Sequence, residues 1–186
     1  MRIAKTDKIA LIQDKVREIM RILGLDLEHP DMIDTPKRIA KMYVNELFSG
    51  LRSKMPKCTA FPNTEKYDEM VIVKDIEFYS MCSHHWMPFF GKIHIGYVPS
   101  KHYVGISKMA RVAEHFACMP QVQERLSTQI AEFLYKKLKP HGLIVVIEAT
   151  HLCMSARGVK KPSAKTLTSC IKGQIDKEEF FKLIKQ

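Results

Sequence analysis

Two short clusters of thiol and imidazole groups, Cys82-Ser83-His84-His85 and His151-Leu152-Cys153, constrain this chain more than any other feature. Nearly seventy residues separate them, and only folding can bring them together. Thiolate and imidazole are the preferred ligands of zinc, so a fold that joins the clusters creates a metal centre. Each cluster follows a stretch that reads as a strand. Met70 to Tyr79 is rich in β-branched and aromatic residues, and Leu143 to Thr150 is a nearly continuous apolar run. On extended backbone, residues two apart point to the same side, which lets His151 and Cys153 face one point, as can Cys82 and His84. Spacing alone leaves three readings open: a structural zinc closed by four protein ligands, a catalytic zinc with one position free, and cysteines that serve as small core residues without metal. The number of groups favours catalysis. A closed site needs four and five are present, and a surplus histidine beside a metal is a natural proton carrier.

The remaining chain supplies the elements around these clusters. Residues 5 to 23 carry Ile9, Ile12, Val16, Ile19, Met20 and Leu23 at helical spacing, with Gly24 as the stop. Asp34-Thr35-Pro36 announces a second helix, with Thr35 as its cap and Pro36 in its first turn, ending near Ser49-Gly50. Residues 51 to 66 read as a linker. Lys92 to Val98 alternates as a strand, Ser107 to Cys118 and Val122 to Leu138 read as consecutive helices broken near Pro120, Lys165 to Ile171 is a weaker strand, and residues 176 to 184 form a closing helix. Strands that bracket two long helices predict an α+β domain with an antiparallel sheet over residues 67–186, behind an N-terminal helical region and linker over residues 1–66.

Thirty Lys+Arg against twenty Asp+Glu leave a formal charge of +10, which attracts polyanions: nucleic acid, an acidic membrane surface or a phosphorylated small molecule. The basic residues are spread along the whole sequence, without an arginine-rich arm or a long lysine block, which argues against nucleic acid. Met1 to Gln13 starts basic and turns mixed, with no apolar signal core behind it, and no run approaches the ~18 apolar residues of a membrane span. Five cysteines in such a chain argue for metal or catalytic use in a reducing cytoplasm rather than for a disulfide framework.

Several motifs then stand in a recognisable order. Ser80-Met81-Cys82-Ser83-His84-His85 is followed by Pro88-Phe89 and Gly91-Lys92. Gly105-Ile106-Ser107-Lys108 is followed by Arg111, and then by Gln121-Val122-Gln123-Glu124-Arg125-Leu126. Glu148-Ala149-Thr150-His151-Leu152-Cys153-Met154 precedes Arg157-Gly158-Val159. Together with Thr35-Pro36-Lys37-Arg38 and the stretch from Tyr43 to Gly50, this series resembles the GTP cyclohydrolase I family over residues 30 to 172.

The resemblance implies that Cys82, His85 and Cys153 hold zinc with water in the fourth place, its pKa lowered to about 7 so that hydroxide can add to C8 of guanine. It implies His151 as the proton source for the opening imidazole ring and His84 as a second proton carrier beside the metal. Base recognition falls to Glu124. A carboxylate offers two acceptors to the N1–H and exocyclic amine of guanine, an edge that adenine lacks. Gln123 is a weaker candidate for the same pocket. Lys108, Arg111 and Arg157 match contacts to the triphosphate, with Arg38 as a further cation from the helical region. Ser107 matches a serine near the ribose, though its plainer reading is a helix N-cap. The implied products are formate and 7,8-dihydroneopterin triphosphate, the first step of folate and pterin biosynthesis. The implied fold is the tunnelling fold, a four-stranded antiparallel sheet with two long helices on one face. Five subunits close their sheets into a barrel, and two rings stack as a decamer with active sites between subunits.

The chain departs from the family in places. Ser83 stands where glutamate is usual, which removes a charge beside the metal ligands. Cys118-Met119 replaces arginines, and the end of the chain is a few residues shorter, with Gly173-Gln174 in place of an apolar pair. Three rival readings are another tunnelling-fold enzyme acting on purine or pterin, a basic zinc protein that binds nucleic acid without catalysis, and a catalytically silent relative kept for assembly, against which the intact His84, His151 and Glu124 argue. A reductase of the first kind uses a cysteine nucleophile and a nicotinamide cofactor, and no matching motif is present. The second predicts a four-ligand zinc indifferent to GTP.

Overall fold

The structure, a computed structural model, describes residues 4–186. It divides into two compact units, one ending at Arg52 and one spanning Ser53–Gln186. In the first, α1 (Lys5–Ile22) stops where the sequence says it should. Gly24 takes a φ of +75°, and the Gly24 and Leu25 amides donate back to the Arg21 and Met20 carbonyls at 2.9 and 3.0 Å, closing the last turn. α2 (Thr35–Met42) carries Pro36 in its first turn and runs on through a π turn (Tyr43–Leu47) and a 3-10 turn (Ser49–Leu51). The cap differs from expectation: Asp34 holds the N-cap position, and the Thr35 hydroxyl donates to the Asp31 carbonyl at 3.3 Å. A threonine hydroxyl readily bonds back to the carbonyl four residues earlier, and here that local partner wins.

The second unit is built on β2 (Val71–Cys82), β3 (Pro88–Val98), β6 (Gly142–His151) and β7 (Thr166–Gly173), paired antiparallel in that order. β2 and β3 run further than their residue patterns indicate, so that Cys82 is the last residue of a strand. The sheet also gains a fifth strand, the two-residue β5 (Pro120–Gln121), parallel to the end of β2. The stretch read as a linker contains β1 (Ala60–Pro62), paired with β4 (His102–Val104). Three residues ending in proline give no periodicity from which to read a strand.

Alternation along β6 explains the layers. Leu143, Val145, Ile147 and Ala149 face α3 (Ile106–Ala117) and α4 (Gln123–Leu138), which present Met109, Val112 and Ala113 and Leu126, Ile130, Leu134 and Leu138 at helical spacing. Ile144 and Val146 point the other way and pack with Phe180 of α6 (Lys177–Ile184), whose first amides are capped by Asp176. β6 reads as continuously apolar because both of its faces are covered. No helix among the described residues is long and apolar enough to cross a membrane.

The register of β2 on β3 shifts between Val73 and Ile76, where Asp75 adopts a φ of +59°. His94 accepts the Asp75 amide at Nδ1 (3.2 Å), and the Asp75 carboxylate pairs with Lys92 at 2.8 Å. Burial pushes the His94 imidazole below its usual 6.5. Asp75 and Glu148 pull it upward, while Lys92 and Lys74 add to the depression. A histidine depressed in the fold supports it only while neutral. Its contribution is present above the unfolded value, starts to fall as pH drops through 6.5, and is fully lost below the folded pKa. His94→Asn keeps an acceptor in place of Nδ1 but cannot titrate. Melting curves above and below pH 6.5 should therefore show a smaller acid loss for His94→Asn than for the parent chain. Equal acid losses would show that His94 does not govern the bulge.

Candidate metal centre

Three strand ends meet at one edge of the sheet. Met81 of β2 pairs with Pro88 of β3, and Phe89 pairs with His151 of β6. Between β2 and β3 the chain folds back tightly. The Cys82 amide donates to the Met87 carbonyl at 2.9 Å, the Trp86 amide to the Cys82 carbonyl at 2.8 Å, and Trp86 takes a φ of +52°. Such a turn brings residues three apart together, so His85 as well as His84 joins Cys82. Past β6 the chain enters the short helix α5 (Leu152–Ser155), which carries Cys153 in its first turn. Both clusters continue from a strand into a turn, so extended-strand geometry alone does not describe them, although the His84 Nδ1 still lies 3.9 Å from the Cys82 sulfur. The ligand atoms of Cys82, His85 and Cys153 nevertheless all lie within 4.8 Å of one another.

This donor set fits zinc. Two sulfurs and one imidazole nitrogen are its preferred ligands, and three protein ligands are the number that leaves a position open for chemistry. Burial pushes the Cys153 thiol up, and the nearby Cys82 pushes it further, with Arg157 opposing. Two thiols this close cannot both ionise easily without a cation between them, which is what a bound divalent metal supplies.

His84 is exposed, with Nδ1 3.9 Å from the Cys82 sulfur. His151 closes β6 two residues before Cys153 and stacks on the buried Phe89 ring, with centroids 4.6 Å apart and planes 3° from parallel. Burial lowers the His151 pKa, and Glu124 opposes that shift. In the Gln121-to-Arg125 motif, Gln121, Gln123 and Arg125 are all engaged within the protein. The Gln121 amide donates to the Phe116 carbonyl and to Gln129 (2.9 and 2.8 Å), and Arg125 donates to Gln121 and the Pro120 carbonyl (2.9 and 2.6 Å). Gln123 is buried, with its amide bonded to Ile147, Thr166, Thr168 and His151. Glu124 is exposed in the first turn of α4 beside them. Ser83 is tied by its amide to the Gln121 carbonyl at 2.8 Å.

Ser107, Lys108 and Arg111 lie elsewhere. α3 starts at the far end of the sheet and descends toward the cluster, where the Ser80 hydroxyl donates to the Ala117 carbonyl at 2.7 Å. At ~1.5 Å rise per residue, Ser107 stands roughly 15 Å up the helix from Ala117. It is not the N-cap, which is Gly105, because the helix begins one residue before the serine. Arg38 belongs to the first unit, where it faces Asp34 at 3.6 Å. The residue that sequence reasoning left without a role is Phe89. Its signal was its place directly after a strand-starting proline, opposite the end of β6, but only the register reveals the stacking.

A family model described as GTP cyclohydrolase I matches residues 12–185. GTP cyclohydrolase 1 of Carboxydothermus hydrogenoformans is 51% identical over 163 residues, covering 87% of this chain and 84% of that one. The protein of the same name from Brevibacillus brevis is 48% identical over 168 residues (90% and 89%), and that from Bacillus subtilis 48% over 163 residues (87% and 85%). Match, identity and coverage together show that the chain belongs to the GTP cyclohydrolase I family.

Proposed function

We propose that this chain opens the guanine ring of GTP by hydrolysis, releases C8 as formate, and rearranges the remainder to 7,8-dihydroneopterin triphosphate. The observation that carries the reading is the convergence of Cys82, His85 and Cys153 within 4.8 Å, with His84, His151 and Glu124 at the same edge of the sheet. Zinc would be held by Cys82, His85 and Cys153, and when bound it supplies Lewis-acid activation of water near neutral pH. Glu124 holds the guanine edge through its two carboxylate oxygens. His151 delivers a proton to the ring nitrogen released as the imidazole opens, and His84 exchanges protons with solvent from its exposed position. Arg157, beside Cys153, together with Lys108, Arg111 and Arg38, neutralises the triphosphate, and Ser107 contacts the ribose.

The placement of Ser107, Lys108 and Arg111 far from the cluster supports an active site shared between subunits. The fold is then the tunnelling fold, four antiparallel strands with α3 and α4 on one face, closed into a barrel by neighbouring copies in a cytoplasmic decamer. The test is direct. Zinc-loaded protein incubated with GTP should yield formate and, after oxidation, a fluorescent pterin, whereas ATP should yield neither. Intact GTP with fully loaded, assembled protein would overturn the proposal.

Glu124→Gln tests base recognition. The amide offers one acceptor and a donor that opposes a guanine N–H. The kcat/KM for GTP should fall about 10- to 100-fold, the effect of losing one charge-assisted hydrogen bond. Steady-state kinetics that match the parent chain would remove Glu124 from the base pocket.

A further inference from the structure

We infer that Gln123 is a positioning residue that fixes the tautomer of His151, leaving Nδ1 as the nitrogen that exchanges a proton with substrate. The inference rests on the reading of His151 as a proton carrier. Gln123 opens α4 and is 2% exposed. Its amide nitrogen lies 2.9 Å from the Ile147 carbonyl of β6, 3.0 Å from the Thr166 carbonyl of β7 and 3.2 Å from the Thr168 hydroxyl. Two of these partners are carbonyl oxygens, which only accept. The nitrogen end of the amide must therefore face them, because turning the amide over would set three carbonyl oxygens against one another. The Oε1 end is thus fixed toward His151, where Nε2 lies 2.8 Å away. Oε1 can only accept, so Nε2 carries the hydrogen in the neutral ring. The partner on one imidazole nitrogen decides what the other can do, and here it leaves the lone pair on Nδ1.

Two further contacts make this a fixed arrangement. The parallel Phe89 ring holds the plane of the imidazole. The two carbonyls that orient Gln123 belong to adjacent strands of the sheet, so the amide is braced against backbone rather than against mobile side chains. Its donors and its acceptor are all engaged inside the protein. Gln123 therefore acts through His151 and not by contact with the base.

The test uses the full chain loaded with zinc and labelled with 15N histidine. NMR at alkaline pH without GTP, with the His151 signals assigned by their loss in His151→Gln, should show hydrogen on Nε2. An Nδ1–H tautomer overturns the inference whether or not the protein turns over GTP. Gln123→Met keeps the shape and removes the acceptor. It should give a mixture of tautomers and lower kcat roughly 10- to 100-fold, the usual cost of losing such a supporting partner, with KM for GTP little changed. A raised KM with unchanged kcat in Gln123→Met would make Gln123 a substrate contact and end the proposal. If Gln123→Met does not fold, the tautomer of the parent chain still decides it.

Discussion

Cys153→Ser is expected to abolish metal retention and GTP turnover together while leaving the fold in place. Cys153 is half-buried in the short helix α5, at the margin of the core, so exchanging sulfur for oxygen removes little packing. What changes is the ligand. A thiol near a metal ionises readily, whereas a serine hydroxyl stays protonated and is a poor, neutral donor to zinc. Two of three protein ligands then remain, Cys82 and His85. Metal-ion chemistry supplies several kcal/mol of barrier lowering, so turnover should fall by roughly three orders of magnitude or more. Metal analysis of the purified protein should show zinc near one per chain in the parent and close to none in Cys153→Ser. Circular dichroism should overlay. Trp86 offers an independent reading, since it is the only tryptophan and sits next to His85 in the turn. Its emission should change when zinc is added back to chelator-treated parent protein and stay flat in Cys153→Ser. A Cys153→Ser protein that keeps its zinc and its turnover would remove this residue from the metal site and reopen the reading of both clusters.

The two Cys/His clusters were legible in the sequence because residue type limits what could hold zinc, but only the family resemblance singled out Cys82, His85 and Cys153 among their groups, which together could hold a metal. How they converge was not legible. The strand rule pairs residues two apart, but Cys82 and Cys153 both sit where a strand gives way to a turn, and turn geometry brings His85 to Cys82 as well. The helices α3 and α4 were readable from their periodic apolar faces, and β6 from its continuous run. β1 and β5 carry too few residues to show any period, and the bulge at Asp75 depends on long-range partners on β3. Gln123 shows the same limit at the site. Its place in the motif suggested a base contact, while its buried hydrogen bonds to the Ile147 and Thr166 carbonyls are visible only in the fold. Ser107, Lys108 and Arg111 share a motif with each other but not an end of the sheet with the cluster, a separation that depends on the direction of α3.

Gly91→Ala should be among the most damaging single methyls added to the sheet. Gly91 lies on β3 between Phe78 of β2 and Ala149 of β6, so a strand flanks it on each side. A Cβ at this position would fall almost on the Glu148 carbonyl oxygen, 2.8 Å from the Ala149 Cα and 2.9 Å from the Glu148 carbonyl carbon. All three are backbone atoms, which cannot turn aside as a side chain can. Relief requires β3 and β6 to separate, and that breaks ladder hydrogen bonds and loosens the core beneath. A loss of about 3 kcal/mol or more is expected, which for a chain of this size lowers the melting temperature by roughly 10 °C. The strain falls two residues from Phe89, whose ring holds His151, so GTP turnover should fall even at temperatures where the variant stays folded. Gly105→Ala provides the contrast. Its Cβ would meet only side-chain carbons, of Phe61 and Lys108, at 3.6 and 3.8 Å, and its φ of −60° suits any residue. That change should alter stability by no more than about 1 kcal/mol, the scale of an N-cap substitution. Equal melting temperatures for the two variants would mean that β3 and β6 do not approach as closely at Gly91 as the sheet register requires. The stacking of Phe89 on His151, which hangs from the same register, would fall with it.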